Sequence, residues 1–176
     1  MSDTQPLLAV NRHQTLRFFF EHLRDAVEDA PPTDELLYNA SVLAHFAMTS
    51  SASTTDFPPG PTGLHLVFDL FVLDRSQHTD PEIMEAAGSQ CLVLTGFFQD
   101  QLRHRHNVDW YGDLGATFYS SAAQFGRDRR RRQLMERMAG RFGYWRRQHH
   151  RLAIDLREEP RLIAVDRPDR PADRLH

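Results

Sequence analysis

GSQCLVLTGFFQDQLRHRHNVDWYGDLGATFYSSAAQF, residues 88–125, decides the fold. It reads as two buried helices that carry glycine where most helices carry alanine or leucine. Gly88 and Gly96 lie eight positions apart, close to two full turns, so they share a face. Gly112 and Gly115 lie on adjoining faces of the next helix. Each glycine inside a helix costs about 1 kcal/mol against alanine. Four so close together mark close backbone approach, either to another helix or to a ligand. The residues leave that choice open.

Outward from this stretch, 176 residues suit one domain with a sizeable core. A hydrophobic content of 40% with 12 phenylalanines fills such a core and argues against general disorder. The single cysteine, Cys91, excludes an intramolecular disulfide and a multi-cysteine metal site, and its apolar setting predicts a buried thiol. The first residues, MSDTQPLLAVNRHQ, do not read as a signal peptide. The longest apolar runs, interrupted by Asp69 and Gly96, fall short of a membrane span. The expectation is a protein of the bacterial cytoplasm with no membrane partner.

Every basic residue except histidine is arginine. Residues 127–176 hold 15 Arg against 8 acids, and residues 1–126 hold 6 Arg against 16 acids. The chain is an acidic body with a basic C-terminal third.

Helical periodicity recurs in every apolar segment, and strand alternation appears in none. A first helix over 11–29 places Leu16, Phe19, Phe20, Leu23 and Val27 on one stripe, and Pro31 and Pro32 end it. Thr33 caps a second helix over 34–49. Residues 50–63 are a proline- and glycine-rich loop, long enough to be a lid. Residues 64–74 form a third helix, apolar nearly all round and therefore central. Asp80 caps a fourth with Pro81 at its first position. Asp109 caps a fifth that Gly126 stops, and Asp128 caps a long sixth reaching residue 157. A tail over 159–176, rich in Pro, Arg and Asp, reads as disordered apart from docking of residues 162–165. The expected architecture is all-α: one domain over 1–158, a bundle-like array of about six helices centred on 64–74 and 88–101.

One wider pattern is a helix G-x-x-x-L-x-L-x-G-F-F, a basic stretch, then a helix opening on aromatic residues with glycine and a later tyrosine. Here it comprises Gly88, Leu92, Leu94, Gly96, Phe97 and Phe98, then Arg103 and Arg105, then Asp109, Trp110, Tyr111, Gly115 and Tyr119. With LLYNASVLAHFA before it, the chain resembles a family of uncharacterised bacterial helical proteins over residues 34–156. Ser89 stands where the pattern has an acid and Gln99 where it has proline. The resemblance implies a helical fold and no catalytic residue.

Ten histidines raise the question of metal. No Glu-x-x-His or His-Glu-x-x-His spacing occurs, and the expectation is no metal site. The best remaining polar set is His45, His65 and Asp69 with Glu82 or Glu85; His65 and Asp69, one turn apart, read first as a side-chain pair satisfying a buried aspartate. His104 and His106 beside Arg103 and Arg105 read as a cationic last turn. Trp110, Tyr111, Phe118 and Tyr119 around Gly112 and Gly115 read as core packing, or else as the wall of a flat apolar pocket.

Arg129, Arg130, Arg131 and Arg132 sit at a helix N-terminus, where cations oppose the helix dipole. They dock either on the acidic body of the same chain or on an external anion. Met135, Met138, Phe142, Trp145, His149, Leu152 and Leu156 follow an unbroken 3-4 spacing, a seam that packs either on the body of the same chain or on a second copy; the homodimer is the preferred expectation, with His149 either a partly exposed edge residue or a pH-sensitive contact.

The leading functional expectation is a non-catalytic interaction or adaptor protein that meets an acidic protein, or a second copy of itself, through the arginine-rich helix. The alternative is a small-molecule or cofactor binder, open to enzymatic use, with a pocket formed by His45, His65, Asp69, Gly88, Gly96, Tyr111, Gly115 and Tyr119. Nucleic-acid binding through the arginine run comes third. No motif specifies a cofactor or a catalytic residue.

Overall fold

A computed structural model describes residues 4–52 and 78–158. Among the described residues the chain is all-α, with seven helices packed in a bundle-like array. They are α1 (Thr4–Ala26), α2 (Thr33–Ala52), α3 (Pro81–Leu92), α4 (Gln99–Leu102), α5 (Val108–Phe125), α6 (Arg129–Gly140) and α7 (Phe142–Glu158). A π-helical turn, Val93–Phe97, lies between α3 and α4. None of these helices is long and apolar enough to cross a membrane.

Local chemistry sets the boundaries. α1 buries Phe19, Leu23 and Ala26, half-buries Leu16 and Phe20, and stops ahead of Pro31 and Pro32. It starts earlier than residue 11 and ends three residues before 29. α2 runs through Ala52, so the first residues of the expected loop are helical. The Asp80 carboxylate accepts from the backbone N–H of Glu82 and Ile83, with Pro81 in the first turn of α3. Asn107, not Asp109, caps α5, accepting from the N–H of Trp110. Asp109 lies in the first turn, where its charge still suits the dipole. The remaining loop, the helix expected over 64–74 and the tail over 159–176 with its docking residues 162–165 fall outside the described residues.

The expected long sixth helix is two helices. Arg141 (φ −111°, ψ 18°) leaves the helical region and separates α6 from α7. The seam residues nevertheless share one side across this break, and all of them are buried in the core of their own chain. Met138, Trp145 and His149 are 0% exposed, and Met135, Phe142, Leu152 and Leu156 at most 6%. The homodimer seam is therefore corrected: these side chains pack against the rest of the same molecule and leave no apolar face for a second copy. The narrow stripe has a physical reason. The helix flanks turn arginines onto acids of the body rather than adding apolar width: Arg137 pairs with Asp34, Arg146 with Asp109, Arg151 with Glu28 and Arg157 with Asp100. Much of the charge split along the sequence is thus spent inside the chain.

The four glycines resolve as close packing. A Cβ on Gly88 would lie 3.0 Å from the Tyr119 ring, and one on Gly115 would lie 2.5 Å from the Phe142 ring and 2.7 Å from Cys91 Cβ. At Gly96 it would come within 2.9 Å of the Arg146 carbonyl and of His149 Cβ, so α7 crosses the π turn at backbone distance. Gly112 makes room for the Arg146 guanidinium, whose Nε donates to the Thr95 carbonyl (3.1 Å). Among the described residues, the space beside these glycines is filled by Tyr119, Phe142 and Arg146.

Candidate functional site

The corner between α5 and α6 carries a cluster of exposed charge, with Arg127, Arg129 and Arg130 close together in sequence. Gly126 ends α5 in extended conformation (φ −65°, ψ 146°), where a Cβ would sit 2.8 Å from Arg132 Cγ and 2.9 Å from the Ala122 carbonyl. Glycine is needed here because the Arg132 stem folds back over the turn and its Nε donates to the Ala123 carbonyl (3.0 Å) at the end of α5. Asp128 then caps α6, accepting from the N–H of Arg130 (3.1 Å). Arg131 reaches α3, where Nε donates to Glu85 Oε2 (3.0 Å) and a second nitrogen to Oε1, with the guanidinium 5.3 Å from the Tyr38 ring centroid. Arg131 and Arg132 are thereby held by their own chain. Arg127, Arg129 and Arg130 are exposed and their side chains make no hydrogen bond or ion pair among the described residues, and Phe125 beside them is 40% exposed. A cavity of about 840 Å³ opens next to this corner. Asp80, Glu82 and Glu85 of the α3 end line one side, Arg127, Asp128 and Arg131 the other, with Ala122 and Met135 among its apolar lining.

Behind the Glu85–Arg131 pair, three hydroxyls from three helices meet. Tyr38 donates to Tyr119 (3.3 Å), and Ser89 lies 3.0 Å from Tyr38 and 3.1 Å from Tyr119. Donation from Tyr119 to Ser89 and from Ser89 to Tyr38 closes a ring in which each hydroxyl gives and accepts once. Burial pushes both phenols above their ordinary range, and the nearby Glu85 charge adds to this. Burial likewise pushes the Cys91 thiol up to about 12. All three stay protonated at neutral pH.

A second buried polar cluster joins α2, α6 and α7. Glu35, fully buried, accepts from Trp145 Nε1 (2.9 Å) and lies 3.2 Å from Arg141 and 3.5 Å from Arg137. One turn on, Asn39 Nδ2 donates to the Glu35 carbonyl (2.8 Å), which fixes the amide orientation and leaves Asn39 Oδ1 facing His149 Nε2 at 2.9 Å. His149 must therefore carry its proton on Nε2. Its Nδ1 has no partner, and burial pulls its pKa down to about 3.

The described members of the expected pocket do not converge. His45 is exposed on α2, Tyr111 is half-buried against Trp110 and His106, and Tyr119 belongs to the hydroxyl ring. Gly88, Gly96 and Gly115 serve helix packing. His65 and Asp69 lie outside the described residues. No group of three or more His, Cys, Asp or Glu side chains among the described residues comes together as a metal site.

Sequence reasoning missed both polar clusters. A signal was present: Glu35 and Asn39, one turn apart in the apolar ELLYNASVLA, match Trp145 and His149, one turn apart in the apolar side of α7. Ser89 stood out only as a departure from the wider pattern, with nothing to say which groups it would meet. In comparisons with family models, with curated proteins and with solved structures, the chain finds no match.

Proposed function

We propose that this protein is a non-catalytic interaction module that docks an acidic protein through the α5–α6 corner, with Arg129 and Arg130 as the contacting charges. One observation carries the reading: of the four consecutive arginines, two are tied to their own chain and two stand exposed without an acceptor at a helix N-terminus, where the dipole disfavours them. An external carboxylate cluster compensates both costs at once. Phe125 adds an apolar contact at the edge, and the charges steer encounter rather than supply most of the affinity. The carboxylates Asp80, Glu82 and Glu85 next to the corner disfavour a long polyanion, which ranks a protein partner above nucleic acid.

The test is affinity capture from the native host with the wild type and an Arg129→Ser/Arg130→Ser variant, followed by binding of the purified captured protein. An acidic protein whose affinity drops at least about tenfold in the variant, equivalent to about 1.4 kcal/mol, supports the reading. Capture unchanged by the substitution overturns it. Strong retention on heparin and on oligonucleotides would assign the corner to nucleic acid instead.

A further inference from the structure

The π turn at Val93–Phe97 is held from outside its own helix. The Phe98 N–H donates to the Val93 carbonyl (3.1 Å), those of Gln101 and Leu102 both donate to Phe98, and that of Arg103 donates to Gln99. The carbonyls of Leu94, Thr95, Gly96 and Phe97 therefore have only the N–H groups of Gln99 and Asp100 left to them in the ladder, beside a share of Phe98's that reaches Gly96. Arg146 of α7 makes up part of the deficit, its Nε donating to the Thr95 carbonyl (3.1 Å). The other end of the same guanidinium donates to Asp109 Oδ1 (3.0 Å), and that carboxylate is 86% exposed. One side chain joins a buried helix carbonyl to a surface charge.

Two features give this turn a second register. Phe97 and Phe98 are identical neighbours, the first half-buried and the second buried. Moving the π turn one helical turn toward α4 carries Phe97 into the place of Phe98, so the core keeps the same ring, and Leu102 stays where it is. The same move brings Thr95 toward the place of Gly96, where a Cβ lies 2.9 Å from the Arg146 carbonyl and from His149 Cβ. The shifted register therefore requires α7 to stand back at this crossing, and Arg146 is what ties α7 to the turn. We infer that Val93–Phe97 is a two-register element latched by Arg146, with α7 close against it in one register and drawn back in the other. A cationic group that engages Asp109 at the surface competes for the outer end of the latch and favours the second register.

Nuclear magnetic resonance couplings across hydrogen bonds, measured on the full-length chain, read the register directly. In the wild type the Phe98 amide should couple to the Val93 carbonyl. In Arg146→Met, and more weakly in Asp109→Asn, a second set of signals should appear in which Phe98 couples to Leu94 and Phe97 to Val93. The register also decides which phenylalanine the core needs. Phe98→Ser should lower the unfolding midpoint more than Phe97→Ser in the wild type, and the gap between them should narrow in the Arg146→Met background. Phe98 coupled to Val93 alone in both variants overturns the inference. If Arg146→Met does not fold, Asp109→Asn decides alone, since its side chain lies at the surface. Faster amide exchange throughout α3 and α7 with no change of acceptor makes Arg146 a plain brace and overturns the inference as well.

Discussion

At the scale of single residues, the two buried polar clusters are where one atom matters most. Ser89→Ala removes one hydroxyl from the ring and leaves Tyr38 and Tyr119 each short of a partner. A loss of about 1–3 kcal/mol in urea unfolding is expected, and a loss below a few tenths would mean the ring is slack. Glu35→Gln is expected to cost about 3 kcal/mol, because Arg137 and Arg141 keep their charges while their shared carboxylate disappears. Solvent reaches both arginines, which holds the cost at the low end for a broken buried pair. Trp145 reports the change directly, since its indole N–H loses a charged acceptor; an emission spectrum identical to the wild type would count against this geometry. Neither cluster was legible as a cluster in the sequence. Periodicity identifies which face of a helix is buried, and it carries no information about what that face meets across 110 residues of chain.

At the scale of elements, glycine separates packing from propensity. On propensity alone each Gly→Ala change in a helix gains about 1 kcal/mol. Gly96→Ala and Gly115→Ala should instead destabilise by about 1–3 kcal/mol, because the added methyl meets the α7 backbone in one case and the Phe142 ring in the other. Gly140→Ala is the control: nothing lies within 4 Å of its Cβ position, so a gain of up to about 1 kcal/mol is expected. Thermal unfolding of the three variants side by side checks this, and equal shifts for all three would refute the packing account. The glycine pattern in residues 88–125 thus told of close approach correctly, and the helices it named are there. What it could not give was the group approaching Gly96, Gly112 and Gly115, a helix numbered 142–158 that arrives from the far end of the chain. The heptad spacing misled for a related reason: 3-4 spacing describes a stripe, and a stripe buried inside its own molecule looks in sequence like one offered to a second copy.

At the scale of the whole molecule, acid should unfold this protein from within. The His149 pKa is about 3 in the folded chain, against about 6.5 when unfolded. The unfolded chain therefore takes up this proton first. The associated stability is fully present above pH 6.5 and is lost progressively as pH falls toward 3, by at most about 5 kcal/mol. Asp34, held below its usual range by its hydrogen bond from Arg137, acts in the same direction at lower pH. Urea midpoints measured between pH 8 and pH 4 should fall most steeply below 6.5, and His149→Gln should flatten that fall. A wild-type midpoint constant down to pH 4 would exclude a neutral buried His149. The same picture explains why the basic C-terminal third suggested more outward reach than it has: among the described residues, six of its arginines close on acids of the body. A count of charge along a sequence cannot tell a partner from a neighbour.

The π turn at Val93–Phe97 means that the rod from Pro81 to Leu102 contains one residue more than its path requires, since its ring closes from Phe98 back to Val93 across five positions rather than four. Removing one residue from within this turn should let it close as ordinary α-helix, with Phe98 and Leu102 still facing inward. Removing one residue from the middle of α3, at Ala86 for example, would swing everything ahead of it by about 100° and take Met84 out of the core. The chain therefore tolerates a frame change at one place along this rod and nowhere near it, and a deletion scan read by thermal stability would trace that tolerance as a single narrow window.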